Sequence, residues 1–252
     1  AVEGEEMHIN IPGFKGGDRE TIELPSIQSR LLAELKKAGK KIVLVNFSGS
    51  AIALTPETKT CDAILQAWYP GQAGGTAIAN VLFGDYNPAG RLPVTFYKST
   101  NQLPDFEDYS MKERTYRYMT EAPLFPFGHG LSYTTFQYGN ASLNTPEIKD
   151  GEQVTLTIPV SNTGKYDGEE VVQVYLRRPG DKEGPSHALR AFKRVAIAKG
   201  TTNQVTIPLS KENFEWFDTG TNTMRPIEGE YEILYGGTSE LKQLKSIPVT
   251  IK

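Results

Sequence analysis

Three glutamates crowd around one glycine at the start of the chain, which reads AVEGEEMHINIPGFKGGDRETIELP. Glu3, Glu5 and Glu6 stand shortly before a Gly-Gly-Asp-Arg turn. Carboxyl groups on such a loop are either solvated surface charges or participants in acid/base chemistry. We expect Asp18 and Arg19 to form an ion pair that shapes this loop, because arginine does not act as a base at physiological pH.

Two other motifs resemble active-site signatures without matching them. In NFSGSA, Ser48 and Ser50 lie on a predicted strand-to-helix loop, but the G-x-S-x-G elbow of serine hydrolases is absent, so we interpret them as turn and cap residues. YPGQAGG precedes a predicted helix, yet it matches neither the dinucleotide fingerprint nor the P-loop. Phosphate binding is therefore not favoured.

The segment from Asp105 to Phe136 is rich in aromatic residues. Such rings stack on sugar faces in some proteins, but we expect them to pack between domains here. The aromatic candidates are Tyr109, Tyr116, Tyr118, Phe125 and Phe127. His129 stands between two glycines, where a structural turn is favoured over catalysis.

Composition narrows the function classes. The 252 residues include 38% hydrophobic and 23% charged side chains, enough for a buried core in one large domain or two smaller ones. A net charge of -3 offers no basic surface to a nucleic acid, and no apolar run is long enough for a membrane span. Cys61 is the single cysteine, and His8, His129 and His187 lack ligand-like spacing, so neither a metal nor a cofactor is predicted.

The first part of the chain alternates helical and strand patterns. Ser26 is positioned to cap a helix that ends in a left-handed residue at Gly39. The apolar positions of this helix are Ile27, Leu31, Leu32 and Leu35. The continuous apolar run from Ile42 to Phe47 predicts a strand buried on both faces, as in a parallel sheet.

A second stretch repeats this order. We predict a strand over residues 63–68, a helix over residues 76–83 that ends at Gly84, and a strand over residues 92–96. A strand, a crossover helix and a second strand are typical of an α/β layered sandwich.

After residue 140 the helical period disappears and apolar residues alternate with polar ones. In VTLTIPVSN and VVQVYLR every second residue is apolar, which predicts strands with one buried face. About seven such strands predict an all-β immunoglobulin-like sandwich. We therefore divide the chain into residues 1–104 (the α/β domain), residues 105–139 (an aromatic-rich connection) and residues 140–252 (the β-sandwich).

Three ordered motifs resemble one enzyme family. They read GEEM...GFKGGDRETIELP, AWYPGQAGGTAIANVLFGDYNPAGRLPVTF and PLFPFGHGLSYTTF, and the β-sandwich pattern follows them. Through essentially its whole length the chain resembles the C-terminal half of glycoside hydrolase family 3 enzymes, the β-glucosidase and β-xylosidase group. The resemblance implies an α/β sandwich domain followed by a fibronectin type III-like domain, and the residue periodicity agrees with both.

The resemblance also implies a part that this sequence lacks. Family members begin with a (β/α)₈ barrel that carries the nucleophilic aspartate and most sugar-binding residues. They also have an apolar strand directly before the Gly-Glu loop, where this chain has only Ala1 and Val2. We therefore expect the α/β domain to be incomplete at its N-terminus and the chain to be one piece of a larger enzyme, with the barrel domain as its partner.

Within this family the glutamates have a chemical role. Retaining glycosidases need a nucleophile and a general acid/base with carboxyl groups about 5–5.5 Å apart. The family's acid/base lies on a loop of the α/β domain, and Glu5, which follows Gly4, is the matching residue. Glu3 and Glu6 stay open as alternatives, because a shift of one or two positions costs little in so short a match.

Two functions from different classes follow. In the first, the chain supplies the acid/base to a retaining, exo-acting β-glycosidase that releases terminal β-linked glucose or xylose from an oligosaccharide or glycoside, and the isolated chain is inactive. In the second, the chain is a non-catalytic module that contacts carbohydrate or stabilises its neighbours. The resemblance also implies a secreted or periplasmic location.

Overall fold

The computed structural model describes Phe14–Lys15, residues 18–149 and residues 153–252. These residues divide into two compact units. The first unit holds the described residues up to Ile78 together with Thr95–Glu113 and Glu121–Phe125. The second unit holds Ala79–Val94, Arg114–Thr120 and Pro126–Lys252.

The first unit contains a short parallel β-α-β arrangement. Its strands and helices are β1 (Phe14–Lys15), β2 (Asp18–Arg19), α1 (Ser26–Lys37), β3 (Val43–Asn46), α2 (Thr55–Thr60) and β4 (Ala63–Gln66). The helix α3 (Gly74–Phe83) follows them, and its residues after Ile78 belong to the second unit. β3 and β4 pair in parallel, with Val43 opposite Ala63 and Asn46 opposite Gln66, and α2 is the crossover between them. This order confirms the α/β class predicted for the first part of the chain.

The first helix forms where the sequence predicts it, but its burial differs. α1 begins at Ser26 itself, so this serine is the first helical residue and not the cap. The chain leaves the helix through Gly39, whose φ of +70° lies in the left-handed region that favours glycine. Of the apolar positions only Leu32 is buried, whereas Ile27 and Leu31 are 61% and 59% exposed.

The strand β3 is parallel, as predicted, but it is not buried on both faces. Val43 is exposed within the strand, and Phe47 is exposed directly after it. The reason is that β3 has a single hydrogen-bonded neighbour, β4, in the part of the chain that the structure describes. The prediction of burial on both faces is therefore wrong.

The strand predicted over residues 92–96 does not form. Leu92 exchanges backbone hydrogen bonds with the turn at residues 128–129, and Phe96 makes only an isolated bridge. The intervening Pro93 has no N–H to donate, so a continuous ladder cannot run along this segment.

The second unit is a β-sandwich preceded by one helical turn. Its elements are α4 (Thr115–Tyr118), β5 (Phe136–Tyr138), β6 (Ser142–Leu143), β7 (Glu147–Ile148), β8 (Val154–Asn162), β9 (Gly168–Arg177), β10 (Ala188–Ile197), β11 (Thr202–Leu209), β12 (Glu215–Asp218), β13 (Thr223–Pro226), β14 (Gly229–Gly236) and β15 (Lys245–Ile251). One sheet has the order β10-β9-β14-β15-β7. The other has the order β11-β8-β5, with β6 also paired to β8, and β12 and β13 form a separate hairpin.

The core of this sandwich follows the alternation that the sequence shows. Every second residue of β8, from Val154 to Val160, is fully buried, and so are Val172, Val174 and Leu176 of β9. β8 pairs antiparallel with β11 from Val154 to Ser161, and β9 pairs antiparallel with both β10 and β14. The predicted immunoglobulin-like sandwich is thus confirmed.

The aromatic connection predicted at residues 105–139 is shared between the units. Residues 105–113 and 121–125 belong to the first unit, and residues 114–120 and 126–139 belong to the second. The packing of this segment between domains and the domain limits at residues 104 and 140 stay predictions. None of the helices in the described part of the chain has the length and apolar character needed to cross a membrane.

Candidate functional site

The glutamates predicted as the catalytic candidates, Glu3, Glu5 and Glu6, lie outside the residues that the structure describes. The described part begins with the hairpin that follows them, in which β1 pairs antiparallel with β2. The side chain of Asp18 is also outside the described part, so its ion pair with Arg19 stays a prediction.

Arg19 connects the end of the hairpin to the next segment of the first unit. Its guanidinium donates to the carbonyl of Glu23, whose carboxylate accepts the N–H of Thr100 at 2.8 Å and the Thr100 hydroxyl at 2.6 Å. Burial raises the pKa of the Glu23 carboxyl, but the hydrogen bonds from Thr100 outweigh burial, and the pKa lies below its usual value. Glu23 is thus an ionised anchor and is unsuited to act as a general acid.

A polar network joins the carboxyl ends of β3 and β4. The Asn46 amide donates to the Gln66 side-chain oxygen at 2.6 Å and to the Ser48 hydroxyl oxygen at 3.1 Å. Gln66 also donates to Ser48 Oγ, and the Ser48 hydroxyl donates to the carbonyl of Ser50 at 2.8 Å. The Ser48 proton is therefore used inside the turn, as expected of a turn residue and not of a nucleophile.

Two exposed aromatic residues lie on the loops after these strands. Phe47 follows β3 directly, and Tyr69 follows β4 with 77% of its surface exposed. Between β4 and Tyr69, Trp68 has a φ of +56°, which is uncommon for a bulky residue. A Cβ atom at Gly49 would lie 2.7 Å from Tyr69 Cε2, so only glycine lets the ring rest in this place. Sequence reasoning considered this YPGQ motif for phosphate binding and as part of the family resemblance, but it did not consider Tyr69 for ligand contact.

The rest of that loop is closed by its own backbone. The N–H of Gly74 donates to the carbonyl of Gly71 at 2.9 Å, and a Cβ at Gly74 would lie 2.6 Å from Pro70 Cβ. The backbone N–H of Gly74 is thus already hydrogen-bonded within the loop and does not serve to bind an anion. The glycines of this motif shape a tight turn before α3.

The GRLP motif supplies a buried ion pair in the second unit. Arg91 Nη2 lies 2.9 Å from Glu170 Oε2 in β9, and the two side chains are only 9% and 5% exposed. Burial raises the pKa of the Glu170 carboxyl, and the charge of Arg91 offsets this only in part. Sequence reasoning missed this pair, because the two residues are far apart along the chain.

The PFGHG motif packs on the same strand. Gly128 has a φ of +78°, and a Cβ there would lie 2.0 Å from the side-chain oxygen of Gln173. The buried Gln173 amide donates to the carbonyls of Gly128 and Gly237. His129 accepts the Leu92 N–H at its carbonyl, and burial followed by the nearby charge of Arg91 lowers the pKa of its imidazole. These contacts support the turn assigned to His129.

Asn87 of the YNP motif connects two further segments of the second unit. Its side-chain oxygen accepts the Ser132 hydroxyl and the Tyr133 N–H, each at 2.8 Å. Its amide donates to the carbonyl of Asp167 at 2.9 Å. Asn87 therefore makes structural connections within this unit, as Arg91 and the turn at Gly128 do.

Several aromatic residues considered for sugar stacking are packed inside their own unit. Tyr116 stacks on Phe127 with ring centroids 4.7 Å apart in the second unit. Phe125 meets Phe96 edge to face at 6.3 Å in the first unit. Tyr109 is exposed. Tyr116, Phe125 and Phe127 are thus partly buried and in ring contact within their own unit, which leaves the exposed tyrosines as the better candidates for ligand contact.

His187 is a buried histidine with both ring nitrogens engaged. The Ser186 hydroxyl and Nδ1 are 2.8 Å apart, and Nε2 lies 2.9 Å from the carbonyl of Ser239, to which it donates. Burial lowers the pKa of His187 to about 4, so the ring is neutral at physiological pH. Within residues 18–149 and 153–252, no three His, Cys, Asp or Glu side chains come together as a metal-binding group.

Comparison with known proteins gives matches along the whole chain. Residues 1–133 match the Glycosyl hydrolase family 3 C-terminal domain, and residues 170–239 match the Fibronectin type III-like domain. A protein of Xylanibacter ruminicola named Xylan 1,4-beta-xylosidase is 57% identical over 251 residues, which are 100% of this chain and 29% of that protein. The Periplasmic beta-glucosidase of Salmonella typhimurium is 34% identical over 262 residues, with 93% of this chain and 34% of that protein covered.

A solved β-glucosidase structure from Erythrobacter marinus is similar to this chain with a TM-score of 0.82 and 35% identity. The match covers 94% of this chain and 31% of that protein. The chain therefore spans about a third of the length of the relatives that it matches. These matches confirm the resemblance drawn from the motifs and the order of an α/β domain and a fibronectin type III-like sandwich.

Proposed function

Because the chain belongs to glycoside hydrolase family 3, we propose that it is the C-terminal part of a retaining, exo-acting β-glycosidase that hydrolyses terminal β-linked glucose or xylose. The observation that carries this proposal is the 57% identity, over the whole chain, to a protein named as a β-xylosidase. The relative named as a β-glucosidase supports the wider substrate class. Xylose is the first choice among the two sugars, because the β-xylosidase is the more similar of these two relatives.

In this proposal the catalytic carboxyl groups come from two domains. Glu5 is the general acid/base, with Glu3 and Glu6 as alternatives, and a barrel domain elsewhere in the enzyme carries the nucleophile. The acid/base first protonates the leaving oxygen and then, as a base, activates the water that hydrolyses the glycosyl-enzyme intermediate. The isolated chain then lacks one of the two carboxyl groups and is inactive.

The described residues support this assignment indirectly. Glu23 anchors the segment after the hairpin, and its two hydrogen bonds from Thr100 keep it ionised. A general acid must hold a proton at the working pH, which Glu23 is not placed to do. This supports assigning the role of general acid to the glutamates that precede the hairpin.

A second function is favoured by a different observation. The family motifs of the second unit hold β9 through the buried Arg91–Glu170 pair and through Gln173, and they need no chemistry to explain their presence. The alternative is therefore a non-catalytic module that contacts carbohydrate or stabilises a larger protein. It predicts that replacing any of the three glutamates leaves turnover by the complete protein unchanged.

The relatives also bear on location and partners. Because one relative is named as periplasmic, we place the enzyme in the periplasm or outside the cell. Its partners in this proposal are the barrel domain and a β-linked oligosaccharide or glycoside.

Glycosidase kinetics in the complete enzyme, with its barrel, test the acid/base assignment. Glu5→Ala is expected to lower the rate on an oligosaccharide by roughly 10²–10⁴ and to spare the first step on a dinitrophenyl glycoside, whose leaving group needs little protonation. Breakdown of the intermediate then becomes slow, and azide restores it, since this anion attacks without a general base.

Glu3→Ala and Glu6→Ala are the matched controls. If either of them shows the leaving-group pattern and the azide rescue while Glu5→Ala does not, the acid/base is that residue. If none of the three shows it, the acid/base lies outside this loop and the assignment is wrong.

A further inference from the structure

We propose that Tyr69 is a sugar-binding platform that takes one uncharged pyranose ring of a β-linked oligosaccharide at the carboxyl ends of β3 and β4. The inference deepens the proposed function and rests on it, because it adds a binding residue to the same glycosidase. It is independent of which glutamate is the acid/base, and it assigns no bond cleavage to Tyr69.

The first observation is the exposure of the ring. Tyr69 leaves 77% of its surface in water, although its ring offers a large apolar face whose burial is favourable. A tyrosine ring has an apolar face and a polar hydroxyl, which suits a partner with apolar C–H groups and hydroxyl groups. A pyranose ring has both.

The second observation is the backbone strain next to this residue. Trp68 adopts a φ of +56°, and a bulky side chain in the left-handed region is strained. The Trp68 ring packs edge to face against Phe96, with centroids 6.0 Å apart, so the fold holds the strained turn in place. The consequence is that Trp68 packs inward and the next residue, Tyr69, stands outside. Strain of this kind is concentrated at functional sites.

The third observation is the contact of the ring with the loop after β3. A Cβ atom at Gly49 would lie 2.7 Å from Tyr69 Cε2, so one side of the ring rests directly on the loop after β3. The Asn46, Ser48 and Gln66 hydrogen bonds tie this loop to the end of β4. A side chain larger than glycine at position 49 would therefore displace the ring from this place.

The place and the charge of these loops indicate the ligand class. In α/β sheets ligands bind beyond the carboxyl ends of the parallel strands, which is where both loops lie. Residues 47–51 and 67–73 contain no Asp, Glu, Lys or Arg, but they do contain hydroxyl, amide and aromatic side chains. Such loops suit an uncharged polyhydroxylated ligand and not a phosphate or a nucleic acid.

The direct test is a titration of the 252-residue chain with xylotetraose and with cellotetraose, followed through the ring signals of Tyr69 in NMR spectra. We expect saturable changes with at least one of the two probes. Tyr69→Ala is expected to weaken binding roughly threefold to tenfold, while Tyr69→Phe, which keeps the ring, binds nearly as tightly. Gly49→Ala is expected to displace the ring and to weaken binding as well.

Tyr166→Ala provides the matched control, because Tyr166 is also exposed, at 60%, but lies in the second unit. It is expected to bind both probes like the unaltered chain. The proposal is overturned if neither probe gives a saturable change, or if Tyr69→Ala binds as tightly as Tyr166→Ala.

A kinetic test in the complete enzyme separates this inference from the proposed function. Tyr69→Ala is expected to raise the KM for xylotriose several-fold more than the KM for an aryl xyloside, which has fewer sugar rings to contact Tyr69. An enzyme without activity on any β-glycoside contradicts the proposed function itself. An active enzyme in which Tyr69→Ala lowers thermal stability but leaves the KM for xylotriose unchanged shows that Tyr69 is a packing residue and overturns the subsite alone.

Discussion

The two units use their apolar residues differently. In the second unit the alternating side chains of β8 and β9 are fully buried between two sheets. In the first unit the apolar face of α1 is exposed to solvent at Ile27 and Leu31, and Val43 of β3 is exposed as well. Both patterns have the regular spacing that predicts a buried face.

The difference shows what an apolar pattern predicts and what it does not. Periodicity indicates which side chains share a face, but not which part of the molecule covers that face. In the second unit the covering sheet comes from the same stretch of sequence, so the pattern and the burial agree. In the first unit the described residues supply one strand beside β3, and the prediction of full burial is wrong.

Removing a buried charge partner should give the largest loss of stability. Arg91→Ala leaves Glu170 buried without its counterion and is expected to lower the free energy of unfolding of the second unit by about 3–5 kcal/mol. Denaturant unfolding followed by Trp216 fluorescence in a Trp68→Phe background measures it, because Trp216 then reports on the second unit alone.

The matched control for this prediction is Arg225→Ala. Arg225 pairs with Asp218 in the β12–β13 hairpin, but about half of its side chain is exposed, so the expected loss is about 0–1 kcal/mol. Equal losses for the two variants would show that the Arg91 pair does not behave as a buried one.

A leucine-to-alanine pair tests the contrast between the units directly. Leu176→Ala in the sandwich core is expected to reduce stability by about 2–5 kcal/mol, because it leaves a cavity. Leu31→Ala on the exposed stripe of α1 is expected to change stability by about 0.5 kcal/mol or less. The fluorescence of Trp216 reports the unfolding of Leu176→Ala, and the fluorescence of Trp68 reports the unfolding of Leu31→Ala. Each variant is made in a background in which the other tryptophan is replaced. A large loss for Leu31→Ala would mean that this stripe is covered.

The stability of the second unit should fall in mild acid because of His187. Its pKa is about 4 in the folded state and about 6.5 when unfolded, so the unfolded chain binds more protons between these values. The contribution of the neutral ring is complete above about pH 6.5 and decreases as the pH falls toward 4, by roughly 3 kcal/mol in all. The positive charge of Arg177 also lowers the pKa of His187. The rings of Tyr116 and Tyr175 pack against its imidazole.

The measurement is the free energy of unfolding as a function of pH for the unaltered chain and for His187→Gln. Their difference isolates this histidine from other groups, such as His129, whose pKa is also lowered by burial. The same slope between pH 4 and 6.5 in both proteins would contradict the prediction, since glutamine does not titrate.

Part of the fold followed from sequence because local chemistry decides it. The left-handed end of α1 needs Gly39, and the alternation in β8 selects one buried face, so both were predictable. The pairing of Arg91 with Glu170 was not, because it depends on distant residues meeting in the folded chain. The strand predicted over residues 92–96 is a further error of this kind. The prediction relied on the apolar residues of this segment and gave too little weight to Pro93, which cannot donate a backbone hydrogen bond.

The candidate site divides in the same way. Resemblance to a family motif identified Glu5, with Glu3 and Glu6 as alternatives, without any structural information. These three residues lie outside the described part of the chain. Tyr69 was overlooked, because its role depends on the strained Trp68 and on the space at Gly49, which no spacing rule shows.

The smallest expected effect concerns the charge at the start of α1. The first turn of this helix has no acidic residue, and Ile27 there is largely exposed, so replacing it removes little buried apolar surface. Because the helix N-terminus carries a partial positive charge, Ile27→Glu is expected to stabilise the first unit by about 0.3–1 kcal/mol, and Ile27→Lys to destabilise it by a similar amount. Thermal unfolding followed by Trp68 at low ionic strength compares the two variants, and added salt should reduce their difference. If both variants lose more than about 1 kcal/mol regardless of charge and salt, burial of Ile27 outweighs the helix dipole, and the contrast between the two units is weaker than proposed.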